Sequence, residues 1–157
     1  MFHLHTDDAR RVLSTARKRA AQFHRDTVGI ECLLLALIEY GGGPVEETFF
    51  ALNIYPGDAL KTLESLIEAG VPSNAAAPLT AVPYSPGPRQ AIGLALDERR
   101  KLAHNYVGSA HILLAVLRYL DDPWVEPEPA SQFLECLGIE IKILRQELLS
   151  RIPTDTD

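Results

Sequence analysis

The chain has 157 residues, of which 46% are hydrophobic, so it can bury the core of one domain or of two small halves that share a core. The net charge of −6 is divided evenly, with −3 on residues 1–68 and −3 on the remainder, which argues against nucleic acid as a partner. The longest apolar runs are too short to span a bilayer, and the N-terminus has no signal-peptide pattern. We expect a soluble, cytoplasmic monomer.

The first predicted helix covers about residues 7–23. Thr6 precedes it as an N-cap, and two aspartates in its first turn place negative charge at the positive end of the helix dipole. Its apolar residues recur at helical spacing: Ala9, Val12, Leu13, Ala16, Ala20 and Phe23. Its basic residues lie between them: Arg10, Arg11, Arg17, Lys18 and Arg19. A basic helix face is more often solvated than bound to nucleic acid, so we interpret this one as exposed to solvent.

Three more helices are predicted before residue 69. The second, about 30–40, is apolar nearly all round and should be the most buried helix of this part. Three glycines end it, and Pro44 suits the first turn of a short third helix that continues to about Leu52. The fourth covers about 58–68. Residues 69–84 are rich in Pro and Ala and show no periodicity, so they are predicted to be a linker.

Residues 85–152 repeat the pattern of residues 6–68. A self-match at an offset of 79 aligns these pairs: Arg10 with Arg89, Ala16 with Ala95, Val28 with Val107, Gly29 with Gly108, and Tyr40 with Tyr119. Such a match is typical of a duplicated module. Ser85 takes the place of Thr6, Pro86 opens the fifth helix, and Ser109 is the expected N-cap of a sixth helix over about 109–120.

The offset changes to 85 after the sixth helix, because about six residues are inserted around Trp124, the only tryptophan. Beyond the insertion, residues 52–54 align with 137–139, and Leu144, Leu148 and Ile152 form the apolar stripe of the last helix. The sequence therefore predicts one all-α domain over residues 1–157. It consists of two pseudo-symmetric four-helix repeats, 6–68 and 85–152, joined by the linker 69–84.

Two segments resemble the N-terminal domain of Clp AAA+ unfoldases. Residues 104–114, His-Asn-Tyr-Val-Gly-Ser-Ala-His-Ile-Leu-Leu, are similar to the signature GHNYIGTEHLLLGLL, and residues 6–13 are similar to the opening FT-x-x-ARRVL. The resemblance extends from Phe2 to about Ile152. It implies two pseudo-symmetric four-helix repeats that bind substrates and adaptor proteins and have no catalytic activity. The sequence contains no Walker A loop, and we expect a free-standing protein rather than an excised domain.

In ClpC-type members, the resemblance implies a pocket for phosphorylated arginine in each repeat. The Glu of the G-T-E-H motif pairs with the guanidinium, and the helix N-terminus favours the phosphate. The first repeat keeps this carboxylate as Glu31, but Ile30 replaces the Thr and Cys32 replaces the His. We therefore expect an impaired pocket there. The alternative interpretation of Glu31 is a surface residue in the first turn of a helix.

The second repeat keeps Ser109 and His111 but has Ala110 at the position of the Glu. Without a carboxylate to pair with the cation, this pocket is expected not to bind phosphoarginine. His111 fits a hydrogen-bonded structural residue better than a catalyst, since no base–orienter grouping accompanies it. Trp124 is a candidate partner anchor in its Pro-rich loop, or a lid over the end of the sixth helix.

Neither a metal site nor a disulfide is expected. His3 and His5 have an H-x-H spacing, but a frayed N-terminus offers no fixed geometry for zinc. Cys32 and Cys136 lie in apolar runs and are expected to be buried free thiols.

The leading functional hypothesis is a non-catalytic module that binds proteins or peptides. It would act as adaptor, substrate receptor or regulator of a Clp unfoldase–protease, without a cofactor. The alternative is a diverged sequestering protein that binds a small molecule outside the Clp system.

Overall fold

The computed structural model describes residues 5–23, 27–69, 84, 86–122 and 129–152. In these ranges the chain forms eight α-helices and two isolated β-bridges. The helices are α1 (Asp7–Gln22), α2 (Ile30–Tyr40), α3 (Gly43–Ala51), α4 (Pro56–Ala69), α5 (Pro86–Lys101), α6 (Ser109–Leu120), α7 (Pro129–Cys136) and α8 (Ile141–Leu149). The predicted all-α fold is confirmed. Most of the predicted linker, Ser85 and Trp124 lie outside the described residues.

Within each repeat, the first helix packs on the second helix. The two repeats are joined by exchanged contacts, in which helices of one repeat pack on helices of the other. The helices α2 and α6 contact each other at the centre, while α4 packs on α7 and α3 packs on α8. These contacts are symmetric. If each helix is replaced by its counterpart in the other repeat (α1 by α5, α2 by α6, α3 by α7, α4 by α8 and the reverse), α4 on α7 becomes α8 on α3, and α2 on α6 stays the same pair. The repeats are therefore related by a pseudo-twofold axis and share one core.

The central helices owe their position to their nearly continuous apolar sequence. Every residue is buried in 30–38 of α2 and in 109–117 of α6. The thiol of Cys32 is buried here, as expected. The same expectation is wrong for Cys136, which is exposed. The buried residues of α7 are Ala130, Phe133 and Leu134, at helical spacing, and the end of the helix where Cys136 lies is open to solvent.

Of the N-caps predicted at described residues, Thr6 is confirmed and Ser109 is wrong. The Thr6 hydroxyl oxygen accepts the N–H of Ala9 at 3.2 Å, as predicted. Ser109, however, is not the N-cap of α6, because extended Gly108 takes that position. The Ser109 hydroxyl donates instead to the carbonyl of Gly41, 2.5 Å away. That carbonyl lies at the end of α2, where helix carbonyls need partners outside the helix.

The turn between the third and fourth helices of each repeat confirms the offset of 85. Asn53 has φ = 61° and Gly138 has φ = 67°, a conformation that favours these two residue types. The N–H of Ile54 donates to the carbonyl of Phe49 at 2.8 Å, and the N–H of Ile139 donates to that of Leu134 at 3.1 Å. The two turns are therefore structurally equivalent.

Two β-bridges connect the repeats and bring their helix starts together. His5 pairs with Val107, and the N–H of Thr6 donates to the carbonyl of Val107 at 2.9 Å. Symmetrically, Val28 pairs with Tyr84. His5 is buried, so the expectation of a frayed N-terminus is wrong at this residue; His3 lies outside the described residues. The start of α1 consequently lies beside the start of α6.

The basic residues of α1 are only partly solvated. Arg10, Arg11 and Lys18 are exposed, as predicted. The guanidinium of Arg17 lies 4.8 Å from the ring centroid of Tyr84, and Arg19 forms ion pairs with Glu39 and Glu64. The interpretation as a solvent-exposed face is wrong for Arg17 and Arg19, because the first guanidinium lies over an aromatic ring and the second lies beside two carboxylates. Among the described residues, no helix is long and apolar enough to cross a membrane.

Candidate functional site

The candidate binding residues lie at two equivalent helix starts, the start of α2 and the start of α6. Both helices begin after an extended glycine, and neither glycine provides a side-chain cap. The two starts differ at the second helical residue, which is Glu31 in α2 and Ala110 in α6.

The first two side chains of α2 lie against glycine backbone. Ile30 and Glu31 are 2% and 8% exposed. The carboxylate of Glu31 folds back over Gly29, so that a Cβ built on this glycine would lie 2.3 Å from Oε1. Ile30 packs against Gly87 of α5, where an added Cβ would lie 3.4 Å from the Ile30 Cγ1 atom. The interpretation of Glu31 as a surface residue is therefore wrong, because its side chain turns inward along the backbone.

The start of α6 is open and forms a cleft of about 190 Å³. Both repeats contribute to its lining: Thr6, Asp8, Pro44, Tyr106, Gly108, Ser109, Ala110, His111 and Ile152. The small side chain of Ala110 leaves the space that a glutamate would fill. A carboxylate is nevertheless present, since Asp8 reaches the cleft from α1.

His111 is held by two hydrogen bonds that fix its ring. The backbone N–H of Gly108 donates to Nδ1 at 2.8 Å, so Nδ1 carries no proton. Nε2 lies 2.8 Å from Nδ1 of His104, and the neutral ring donates its Nε2 proton to that atom. Burial, followed by the nearby His104 and Arg99, lowers the pKa of His111 to about 4. His111 is therefore neutral at pH 7.

An aromatic contact extends this arrangement to the wall of the cleft. The ring of His104 stacks on that of Tyr106, with centroids 5.0 Å apart and an interplanar angle of 11°. The carbonyl of His104 accepts a hydrogen bond from the guanidinium of Arg99 at 3.0 Å. Tyr106 thus has a fixed orientation where it lines the cleft.

The polar side chains of Ser109 and His111 are both engaged with the backbone. The hydroxyl of Ser109 donates to a backbone carbonyl, and Nδ1 of His111 accepts a backbone amide, so the two side chains do not form a nucleophile–base pair. Within the described ranges, no three His, Cys, Asp or Glu side chains are grouped so that they could hold a metal ion. The cleft offers a carboxylate, an aromatic ring and the amide groups of a helix start.

The structure brings only some of the predicted site residues together. Ser109 and His111 share the cleft at α6, whereas Ile30 and Glu31 lie buried at the start of α2 and do not line this cleft. Sequence reasoning missed Asp8 and Pro44, which come from the other repeat. The available signal was the internal repeat, but a repeat does not by itself tell which helix starts become neighbours.

The structure is a duplicated all-α module with a cleft that both repeats line. The model of the Clp repeat (R) N-terminal domain matches residues 4–125, and the chain belongs to this family. It is similar to ClpC/MecB, the negative regulator of genetic competence of Bacillus subtilis, with 32% identity over 149 residues. It is also similar to the chaperone protein ClpB of Oceanobacillus iheyensis, with 30% identity over 149 residues. Each match covers 95% of this chain and 17% of the relative's length.

Two solved structures show the same fold. The N-terminal domain of the chaperone ClpD from Arabidopsis thaliana superimposes with a TM-score of 0.76 at 22% identity, covering 96% of both chains. The Hsp104 N-terminal domain from Candida albicans gives a TM-score of 0.75 at 16% identity, covering 92% of this chain and 89% of that one.

Proposed function

We propose that this protein is a non-catalytic module that binds proteins or peptides and works with a Clp AAA+ unfoldase–protease. It acts there as adaptor, substrate receptor or regulator. Membership of the Clp repeat family supports this role, as does the similarity to ClpC and ClpB over one part of their length. The observation that carries the proposal is the cleft at the start of α6, because it is open and both repeats line it.

The chemistry of this cleft fits a side chain presented by another protein. Asp8 supplies negative charge, Tyr106 supplies an oriented ring, and Pro44 and Ile152 supply apolar surface. A cationic side chain with an apolar stem matches that combination. We propose that this cleft, rather than the start of α2, is the main contact with the partner. Glu31 takes part only if its carboxylate swings away from Gly29.

The proposal is tested by filling the cleft. Ala110→Leu adds three carbon atoms within the cleft, and Ala51→Leu makes the same change at an exposed position at the end of α3. The immobilised full chain is exposed to the purified Clp unfoldase of the same organism, and binding is measured by biolayer interferometry. We expect Ala110→Leu to weaken binding at least about tenfold, a loss of about 1.4 kcal/mol, and Ala51→Leu to leave it unchanged.

Two further variants test the residues predicted from the sequence. Glu31→Ala should leave binding nearly unchanged if the cleft at α6 is the contact, and Trp124→Ala tests the inserted loop. Equal binding by Ala110→Leu and the unmodified chain would place the contact elsewhere. Failure of the unmodified chain to bind any purified Clp subunit would reject the Clp partnership and favour the alternative, a sequestering protein for a small molecule.

A further inference from the structure

A second cleft, of about 420 Å³, lies at the opposite end of α6. The two clefts are about 18 Å apart along the helix axis, because α6 has 12 residues and each adds about 1.5 Å. Its apolar floor consists of Leu120, Leu134, Ile139 and Ile141. The volume is within the range of about 300–1,000 Å³ that is usual for ligand clefts in proteins. This cleft is formed by repeat two alone, where α6 ends, α7 passes and α8 begins.

The rim of this second cleft is acidic. Asp121, Glu135 and Glu140 line it and are exposed, and Lys142 is the basic residue beside them. No ion pair within the described part of the chain involves any of the three carboxylates. Carboxylates around an apolar floor create a negative potential that a cationic partner would complement.

The internal repeat shows that these carboxylates are not required by the fold. At the offset of 85, which the left-handed turns at Asn53 and Gly138 confirm, Glu135 corresponds to Phe50 and Glu140 corresponds to Tyr55. Phe50 and Tyr55 contact each other edge to face in repeat one, with ring centroids 5.7 Å apart. Repeat two thus has two like charges where repeat one has a stabilising aromatic pair. Glu140 is the N-cap of α8, where its charge suits the helix dipole, but neither carboxylate replaces the contact that the aromatic pair makes in repeat one.

We propose that this second cleft docks a basic, amphipathic peptide segment of a partner protein. Leu or Phe side chains of the segment would pack on the floor, while flanking Arg or Lys side chains would pair with Glu135, Glu140 and Asp121. The inference rests on the proposed function as a protein-binding module, to which it adds a second contact surface and the chemistry of the partner. Contact with the apolar floor provides most of the affinity, and the acidic rim favours partners that carry positive charge.

The test uses the full chain and the peptide fluorescein-Gly-Arg-Leu-Arg-Leu-Gly-amide, labelled at its N-terminus. Binding is followed by fluorescence anisotropy at low and high salt. A second peptide with Glu in place of Arg is the charge control. The test variant is Glu135→Lys with Glu140→Lys. The matched control is Glu46→Lys with Glu47→Lys, which makes the same change of net charge at exposed positions of α3. Thermal unfolding establishes that both variants remain folded.

We expect the Arg peptide to bind, the Glu peptide not to bind, and affinity to fall with salt. The test variant should bind at least about tenfold more weakly, whereas the control variant should retain most of the affinity. Amide NMR shifts on binding should cluster at residues 134–142. Equal losses in both variants, shifts centred elsewhere, or no binding of the Arg peptide would each overturn the proposal. So would a concentration-dependent dimer that the test variant abolishes, since the occupant would then be a second copy of the chain.

The two proposals fail separately. If the unmodified chain binds a purified Clp subunit but not the Arg peptide, only the second cleft is rejected. If it binds the Arg peptide as described but no Clp subunit, the second cleft stands and the Clp partnership falls.

Discussion

At the scale of single residues, His111 carries the clearest consequence for stability. In the folded chain, Nδ1 must stay unprotonated to accept the N–H of Gly108, and the pKa is lowered to about 4. In the unfolded chain the pKa is near 6.5. The folded state therefore disfavours the proton. The contribution of His111 to stability is complete above about pH 6.5 and is lost as the pH falls towards 4.

We expect the free energy of unfolding to fall between pH 6.5 and pH 4, by at most about 1.4 kcal/mol per pH unit from this one proton. The titratable and charged groups beside the ring are His104, Tyr106 and Arg99, so the matched variant matters. His111→Gln keeps an acceptor at the third helical position, as in a capping box, but does not titrate. Urea unfolding across this pH range should give a shallower slope for the variant. Equal slopes would show that His111 is not responsible.

Gly29 is the second residue with a specific prediction. Its φ of −93° is accessible to alanine, so Gly29→Ala would gain about 0.4–1 kcal/mol through the unfolded state, but alanine is a poorer N-cap than glycine and this offsets the gain. Here the added Cβ would meet the carboxylate of Glu31 at 2.3 Å, and the side chain must move out. We expect Gly29→Ala to destabilise the natural chain and to cost less in a Glu31→Ala background, where the added Cβ meets no carboxylate. Chemical denaturation of the natural chain, the two single variants and the double variant measures this difference. If the changes in the free energy of unfolding simply add in the double variant, the prediction is wrong.

At the scale of helices, a buried carboxylate connects α5 to α8. Glu98 is 1% exposed, and both its oxygens accept from the guanidinium of Arg145, at 3.1 and 3.2 Å. A cation on α6, Arg118, lies 3.9 Å from the same carboxylate. Removing one partner of a buried pair leaves an uncompensated charge, which costs about 3–5 kcal/mol when both partners are buried. The Arg145 side chain is 31% exposed, so the cost here is smaller.

We therefore expect Arg145→Met to destabilise the chain by about 2 kcal/mol, after discounting that range for solvent screening. Adding Glu98→Leu should restore much of the loss, because no charge is then left buried. The control is Lys101→Ala, which removes an exposed pair with Asp97 and should change stability by less than about 0.5 kcal/mol. Urea unfolding compares the variants. Similar losses for Arg145→Met and Lys101→Ala would show that the burial of Glu98 is unimportant.

Much of this helical structure could be predicted from the sequence, because local rules decide it. Thr6, the apolar run of α2 and the glycines after it gave helix starts and ends close to those observed. The rules failed where a tertiary partner competes. The hydroxyl of Ser109 has a carbonyl of the other repeat within reach, which a local capping rule does not consider.

The candidate site was harder to predict than the fold, for the same physical reason. Ser109 and His111 were found from a linear motif, whereas Asp8 and Pro44 reach the cleft only because the repeats exchange contacts. Glu31 was placed at the correct helix start, but its inward orientation depends on the space above Gly29. Sequence spacing indicates a face of a helix. It does not indicate which other helix covers that face.

At the scale of the whole molecule, the exchanged contacts predict that the repeats unfold together. The outer helices of each repeat pack on the other repeat, α3 on α8 and α4 on α7. Polar contacts also cross the interface, from Ser109 to Gly41 and from Thr6 to Val107. An isolated repeat would expose the faces of its central helix that the other repeat now covers, together with these unpaired backbone groups. Neither repeat should therefore fold alone.

A protease site inserted between residues 70 and 83 tests this cooperativity without changing the described core. After cleavage, the two fragments should co-elute in size-exclusion chromatography and unfold in one calorimetric transition, with equal calorimetric and van't Hoff enthalpies. Expressed separately, each fragment should give little helical circular dichroism, and mixing the two should restore it. Two separate transitions, or a helical fragment alone, would show that the repeats are independent domains. The cleft at α6, which needs side chains from both repeats, would then require their association before it could bind anything.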